Sequence, residues 1–199
     1  MDEPAKPPPP AQACDALLVV DVQNDFLPGG ALAVTHGDEV IGPINAVARA
    51  FARDGKPVFA TRDWHPADHC SFRSRGGPWP PHCIAGQPGA QFANALELPA
   101  GSGVISKGTG RDEEAYSGFA GTDLAERLRA AGVRRLCVAG LATDYCVLNT
   151  VLDALAAGFA VTLLVDAARA VDVQPGDGAR ALERMSAAGA ALRAASTMV

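Results

Sequence analysis

The sequence Val133-Arg-Arg-Leu-Cys-Val-Ala139, continued by Gly140-Leu-Ala-Thr-Asp-Tyr-Cys-Val147, decides the fold class of this chain. The first part is a short run of β-forming residues without a helical period, which predicts a buried strand. From Val147 to Ala157 apolar residues recur at helical spacing, so a helix follows the turn directly. A buried strand that passes through a turn into a helix is typical of parallel α/β folds.

Cys146 lies where this strand has ended and the helix begins. The first backbone N–H groups of a helix lack partners, and the helix end carries a partial positive charge. Both effects favour a thiolate over a thiol, so Cys146 is a candidate nucleophile. A cysteine is also a small apolar residue that commonly fills a core, and this stretch alone does not separate the two roles.

The alternation of strand and helix extends over the chain. Strands are predicted at 15–22, 57–62, 103–106, 133–139 and 160–165, and helices at 38–53, 123–131, 147–157 and 177–188. Asp123 and Glu126 have the spacing of a capping box. Because this order implies right-handed βαβ units, we expect an α/β fold: a three-layer αβα domain with a central, mostly parallel, six-stranded sheet that is doubly wound. The sixth strand is not assigned, since the pattern from Leu192 onward is not decisive.

The overall composition excludes several classes of function. The 199 residues carry a formal net charge of −5 at pH 7 and no basic run, so neither nucleic acid nor a membrane is an expected partner. No apolar stretch reaches the length that spans a bilayer. Residues 1–13 contain a proline run and lack the apolar middle of a signal peptide. We therefore expect a disordered leader over 1–13, without export, and a single domain over 14–199.

The cysteines are odd in number and widely spaced. They are Cys14, Cys70, Cys83, Cys137 and Cys146, and no CxxC pair occurs among them. Neither a zinc knuckle nor a thioredoxin-type motif is supported. We therefore expect reduced thiols and a cytoplasmic location. The sequence leaves open whether the protein forms a homo-oligomer.

Three reactive side chains stand at the ends of three predicted strands. They are Asp21, Lys107 and Cys146. In open parallel sheets ligands bind beyond the carboxyl ends of the strands, where the strand order reverses. The carboxylate can move a proton from the thiol to a leaving amine, the ammonium favours the thiolate, and the sulfur can attack an acyl carbon. The backbone amides of Ala142 and Cys146 can hold the oxyanion. Each side chain alone suits a structural ion pair or a solvated charge, but three aligned strand ends favour catalysis.

A long loop over residues 64–102 contains three of the four histidines. Such a loop in a compact domain is usually functional or disordered. Asp63 and His65, at i and i+2, can present both side chains to one side of an extended segment. Adding His82 gives a carboxylate and two imidazoles, which suit zinc, manganese or iron(II) with positions left open. His69 is either a fourth ligand or a neighbour of the ligands. Cys83 is a rival ligand that we disfavour, because a thiolate would close the site.

Seven short motifs in register carry a resemblance to a known family. They are Asp21-Val-Gln-Asn-Asp-Phe26, Gly29-Gly-Ala-Leu32, Asp63-Trp-His-Pro66 with His69, Trp79-Pro-Pro-His-Cys83, Lys107-Gly108, Tyr116-Ser-Gly-Phe119 and Gly140-Leu-Ala-Thr-Asp-Tyr-Cys-Val147. Each motif is weak by itself. Together, from about residue 15 to 190, the chain resembles the nicotinamidases of the isochorismatase-like hydrolases.

The resemblance implies roles for these residues. It implies a catalytic triad of Asp21, Lys107 and Cys146, and one divalent metal ion on Asp63, His65 and His82, with zinc preferred and manganese or iron as alternatives. It implies a cis peptide between Leu141 and Ala142. The substrate pocket would be lined by Phe26, Trp79, Tyr116 and Ala142, around a flat ring whose pyridine nitrogen binds the metal.

The implied reaction is hydrolysis of a small-molecule substrate, nicotinamide, to nicotinate and ammonia through a thioester, a step of NAD salvage. Pyrazinamide should also react. Three alternatives remain open: another amidase of the same superfamily that acts on a carbamoyl or ureido substrate, a non-catalytic assembly domain on the same fold, and a structural zinc protein. The expected size of the core disfavours the last of these.

Overall fold

The computed structural model describes residues 14–199 and contains six strands and four α-helices in this range. The strands are β1 (Ala16–Val20), β2 (Val58–Asp63), β3 (Gly103–Lys107), β4 (Arg135–Leu141), β5 (Ala160–Arg169) and β6 (Ala191–Arg193). The helices are α1 (Ile41–Arg53), α2 (Leu124–Ala130), α3 (Leu148–Ala156) and α4 (Asp177–Ala187). Within 14–199 no helix is long and apolar enough to cross a membrane. The leader predicted at 1–13 lies outside the described residues.

The strand order in the sheet is β3-β2-β1-β4-β5-β6, and each neighbouring pair is parallel. The chain builds outward from β1 to β3 and then returns with β4 on the other side of β1. The strand order therefore reverses between β1 and β4, and the carboxyl ends of these strands bound a crevice. The predicted six-stranded, doubly wound sheet is confirmed, and it is parallel throughout rather than mostly parallel.

Apolar residues cover both faces of the sheet. Along β1, Leu17 and Val19 belong to a core that includes the inner face of α1, whereas Leu18 and Val20 belong to a second core with residues of α2, α3 and α4. All five residues of β1 are buried, as the continuous aliphatic run predicts for a strand that is covered on both sides. The predicted three-layer αβα architecture is confirmed.

Several boundaries differ from the sequence-based prediction. Strand β4 starts later, at Arg135, and β5 continues past Asp166 to Arg169, with a register shift between β4 and β5 at Val138–Gly140. The sixth strand has three residues, too few to show the alternation by which strands are recognised. Bulges and short edge strands depend on pairing with a neighbour, so the local sequence does not reveal them.

The predicted capping box at α2 is wrong. Asp123 does precede the helix, but its carboxylate accepts a hydrogen bond from Arg127 Nε at 2.9 Å and caps no backbone amide. The hydroxyl oxygen of Thr122 lies 3.3 Å from the Leu124 amide and accepts its hydrogen bond. An arginine one turn ahead offers the carboxylate a charged partner, which competes with the backbone amide.

A disulfide joins Cys14, just before β1, to Cys137 in the middle of β4. The expectation of reduced thiols is therefore wrong for these two cysteines. Spacing alone does not reveal the pair, because the two residues meet only when β1 and β4 become neighbours. Cys70, Cys83 and Cys146 are free.

Candidate active site and metal site

Strand β4 requires a glycine near its carboxyl end. Gly140 has a φ of +124°, and a Cβ at this position would lie 2.0 Å from the carbonyl oxygen of Val20. No side chain fits there, so glycine allows β4 to run close beside the end of β1. The next peptide bond, between Leu141 and Ala142, is cis, which confirms the expectation from the resemblance.

Cys146 lies in a π-helical turn, Thr143–Val147, that leads into α3 at Leu148. Its side chain is 6% exposed. Burial raises the pKa of the Cys146 thiol well above its usual value, and the positive charge of Lys107 opposes this only in part. Burial and the carboxylates of Asp21 and Asp63 therefore act against the thiolate that the helix end favours. The resting sulfur is a thiol, and it needs a base to become a nucleophile.

The structure brings Asp21, Lys107 and Cys146 together at the crevice. Lys107 Nζ lies 2.9 Å from Asp21 Oδ2 and 3.4 Å from Cys146 Sγ. An oxygen of Asp21 lies within 4.8 Å of the Cys146 sulfur. Thr61 donates its hydroxyl proton to Asp21 Oδ1 at 2.7 Å. Oδ2 has the ion-pair contact but no hydrogen-bond partner in residues 14–199, so it is free to take a proton.

The charges of Asp21 and Lys107 depend on each other. Neither side chain has any exposed surface. Burial raises the pKa of Asp21, and Lys107 opposes the shift. Burial lowers the pKa of Lys107, but the carboxylates of Asp21 and Asp63 outweigh this and raise it well above its usual value. The lysine is therefore a fixed cation, and Asp21 is a carboxylate with more than ordinary affinity for a proton.

Asp63 connects this group to the histidines. It pairs in register with Lys107 across β2 and β3, so the two side chains stand next to each other. Lys107 Nζ donates to Asp63 Oδ1 and to the carbonyl oxygen of Ala115, the latter at 3.1 Å. Burial raises the pKa of Asp63, but Lys107 and His65 outweigh it and hold the pKa far below its usual value. One lysine thus pairs with two buried carboxylates, a link that the sequence did not predict.

Asp63, His65 and His82 can each direct one donor atom at a common point, with these atoms within 4.8 Å of one another. The Nδ1 atoms of His65 and His82 lie 2.8 Å from the carbonyl oxygens of Gly108 and Pro80. A carbonyl oxygen only accepts, so Nδ1 carries the proton in both rings and Nε2 keeps its lone pair. A buried carboxylate and two such imidazoles fit a divalent ion with positions left open.

His69 does not share this point. Its ring stacks on His65 with 4.1 Å between the centroids. Its Nδ1 lies 2.8 Å from the hydroxyl of Ser71, and its Nε2 lies 3.0 Å from the carbonyl oxygen of Glu113. Because both nitrogens have other partners, the geometry favours the neighbour role over the fourth-ligand role. The sulfur of Cys83 is also outside the donor group.

Gln23 holds Asp63 in place, a function that the sequence analysis did not identify. Its Nε2 donates to the carbonyl oxygens of Asp63 and Ala90 at 2.8 and 2.9 Å, and its Oε1 accepts from the Asp63 amide at 2.7 Å. The side chain is completely buried. A glutamine directly after a strand resembles ordinary loop sequence, so no local signal distinguishes it.

The predicted pocket residues line one cleft together with Cys146, Asp63 and His82. These predicted residues are Phe26, Trp79, Tyr116 and Ala142, and the structure adds Leu32, Val34, Tyr145 and Val171. Trp79 Nε1 donates to the hydroxyl of Tyr116 at 2.9 Å. Phe26 lies against the ring of His82, with 5.7 Å between the centroids. The cleft is therefore walled by aromatic and aliphatic groups and has its charged groups at one end.

Residues 15–197 match the family model described as Isochorismatase domain. The chain belongs to the isochorismatase family. It is 42% identical over 198 residues to the nicotinamidase of Escherichia coli (strain K12), with 89% of this chain and 93% of that protein covered.

Solved structures of similar proteins in this family share the fold. A pyrazinamidase of Pyrococcus horikoshii, solved in complex with zinc, has a TM-score of 0.86 and 52% identity, covering 90% of this chain and 98% of that chain. PnC1 from L. infantum, solved in complex with nicotinate, has a TM-score of 0.84 and 38% identity, covering 92% of this chain and 94% of that chain. The isochorismatase family fold therefore accounts for nearly the whole described chain.

Proposed function

We propose that this protein is a metal-assisted cysteine amidohydrolase that converts nicotinamide and water to nicotinate and ammonia. The observation that carries the proposal is the position of Lys107. It contacts the base Asp21 and the nucleophile Cys146 on one side and the metal-donor residue Asp63 on the other. A nucleophile for an amide carbon and a metal-donor group therefore lie in one aromatic-walled cleft. The similarity to proteins named nicotinamidase and pyrazinamidase supports the same substrate class.

In the first half of the reaction, Asp21 Oδ2 takes the thiol proton as Cys146 Sγ attacks the amide carbon. Lys107, 3.4 Å from the sulfur, stabilises the negative charge that develops there. The backbone amides of Ala142 and Cys146 are the proposed donors to the oxyanion. When the C–N bond breaks, Asp21 returns the proton to nitrogen, ammonia leaves, and the acyl group stays on sulfur as a thioester.

In the second half, Asp21 takes a proton from water, whose oxygen attacks the thioester carbon. The C–S bond breaks, Cys146 regains its proton from Asp21, and nicotinic acid is released, which gives its own proton to solvent and becomes nicotinate. Asp63, His65 and His82 would hold a divalent ion, with zinc preferred and manganese or iron(II) as alternatives, and such an ion would supply a Lewis acid for the pyridine nitrogen of the substrate. Phe26 flanks the ring. We propose that the reaction belongs to NAD salvage in the cytoplasm. The question of whether the protein forms a homo-oligomer stays open.

We expect the purified protein to release ammonia from nicotinamide and, at a rate within about tenfold, from pyrazinamide, because exchanging a ring CH for nitrogen creates no clash. The measurement is coupled ammonia detection over a panel that also contains benzamide and small carbamoyl and ureido compounds. Faster release from a carbamoyl or ureido compound would establish the rival amidase activity instead.

Removal of the metal ion should lower the amidase activity without unfolding the protein. We expect dialysis against a chelator to reduce the rate, addition of zinc to restore it, and the thermal midpoint to change little, because the core does not depend on the site. His82→Ala should lower activity by at least about tenfold, whereas His36→Ala, at an exposed histidine, should behave as the unmodified protein. Activity that survives chelation would favour a metal-free amidase, and loss of the fold would favour a structural zinc protein.

A further inference from the structure

Tyr145 stands between two depressions at the carboxyl edge of the sheet. One is the cleft that contains Cys146. The other is a groove formed by the start of α3 and one side of α4, with Leu148, Asp177 and Arg180 in its lining. Tyr145 lines both depressions. Tyr145 therefore marks the boundary of the two depressions, and we call its ring the wall.

Two aromatic contacts hold the tyrosine ring on the cleft side. The ring meets Trp79 edge-on, with 5.1 Å between the centroids and 81° between the planes. It also lies 5.8 Å from the ring of Tyr116, tilted by 43°. Trp79 and Tyr116 are hydrogen-bonded to each other. Aromatic pairs in such arrangements resist reorientation, so the wall does not swing aside without losing both contacts.

The backbone beneath the ring is fixed as well. The two carboxylate oxygens of Asp144 accept hydrogen bonds from the amides of Val171 and Asp172, at 2.9 and 2.8 Å. Asn149 Nδ2 donates to the carbonyl oxygen of Tyr145 at 2.8 Å. The turn is therefore tied both to the segment that follows β5 and to the first turns of α3. The backbone from which the Tyr145 side chain extends is therefore held in place beside the cleft.

We propose, on the basis of the function proposed above, that Tyr145 is a specificity-determining residue that restricts the cleft to flat heteroaromatic amides without a substituent on the ring edge next to the turn. A substituent on that edge collides with the tyrosine ring. Without the ring, the cleft opens into the groove beside α4, which receives the substituent. In this proposal Tyr145 determines which amides enter the cleft, and the triad hydrolyses each of them by the same reaction.

The test compares the unmodified protein with Tyr145→Ala and Tyr145→Phe. The probes are nicotinamide and nicotinamides that carry a methyl or phenyl group at ring positions 4, 5 or 6, assayed by ammonia release. Binding of the corresponding acids is measured in parallel by titration calorimetry, which does not require turnover. Circular dichroism and thermal melting establish that each variant is folded.

For Tyr145→Ala we expect KM for nicotinamide to rise several-fold with kcat retained, and kcat/KM for at least one substituted amide to rise relative to nicotinamide by about tenfold or more. Tyr145→Phe, which retains the ring, should reject the substituted amides as the unmodified protein does. An unchanged selectivity in a folded Tyr145→Ala overturns the proposal. If the unmodified protein releases no ammonia from nicotinamide, the proposed function fails, and the binding preference of Tyr145→Ala among the acids still decides whether Tyr145 is the wall.

Discussion

Cys146→Ala should lower kcat for nicotinamide by roughly four to six orders of magnitude, as when other hydrolases lose their nucleophile. The sulfur is the protein group that forms a bond to the acyl carbon in the proposed mechanism, and alanine offers no replacement. Asp21, Lys107 and the cleft walls stay in place, so binding of nicotinate should change far less than kcat. The measurements are ammonia release under single-turnover conditions and calorimetric titration with nicotinate.

The matched control is Cys70→Ala. Cys70 is a free cysteine like Cys146, but it does not line the cleft. We expect it to retain the rate of the unmodified protein. Rapid quenching followed by intact-mass measurement should show a nicotinoyl adduct on the unmodified protein and on Cys70→Ala, and none on Cys146→Ala. A Cys146→Ala rate near that of the unmodified chain would rule out the thioester route.

The positions of many candidate site residues could be predicted from the sequence, because the end of each strand is recognisable in the local sequence pattern. Asp21, Lys107 and Cys146 each lie at or beyond the end of a predicted strand, and parallel strands place their carboxyl ends at one edge. The side chains of Asp63 and His65 lie on one side of the chain because residues two apart in an extended segment point the same way. Such signals are local, because each is contained in the sequence of a single strand or loop.

What the sequence did not reveal depends on which strands are neighbours. Asp63 and Lys107 meet because β2 and β3 pair in one register, and Cys14 meets Cys137 because β4 returns beside β1. His69 has the right residue type, but its Nδ1 lies against the neighbouring Ser71 and its Nε2 against Glu113 of a distant segment. The pKa of Cys146 depends on how deeply the sulfur is buried. Pairing, partners and burial are properties of the assembled fold, and a local pattern contains none of them.

Lys107→Met should both abolish the amidase activity and destabilise the fold. The side chain has no exposed surface and supplies the positive charge shared by Asp21 and Asp63. Methionine fills much of the same volume but leaves two buried carboxylates without a cation. Removing one partner of a buried ion pair typically lowers the free energy of unfolding by about 3–5 kcal/mol. Urea unfolding measures this loss, and Lys56→Met, at a lysine that is 31% exposed and pairs with the exposed Asp54, should change the value by less than about 1 kcal/mol.

A double-mutant cycle separates the charge from the packing. If the uncompensated carboxylates cause the loss, adding Asp21→Asn to Lys107→Met should restore part of the free energy of unfolding, because one buried charge is gone. If lost packing causes it, the second substitution should make the protein still less stable. Zinc should also stabilise Lys107→Met more than the unmodified protein, since a cation on Asp63 replaces part of the missing charge. If the two substitutions change the free energy of unfolding additively, and zinc stabilises Lys107→Met no more than the unmodified protein, Lys107 is not the shared counterion of the two carboxylates.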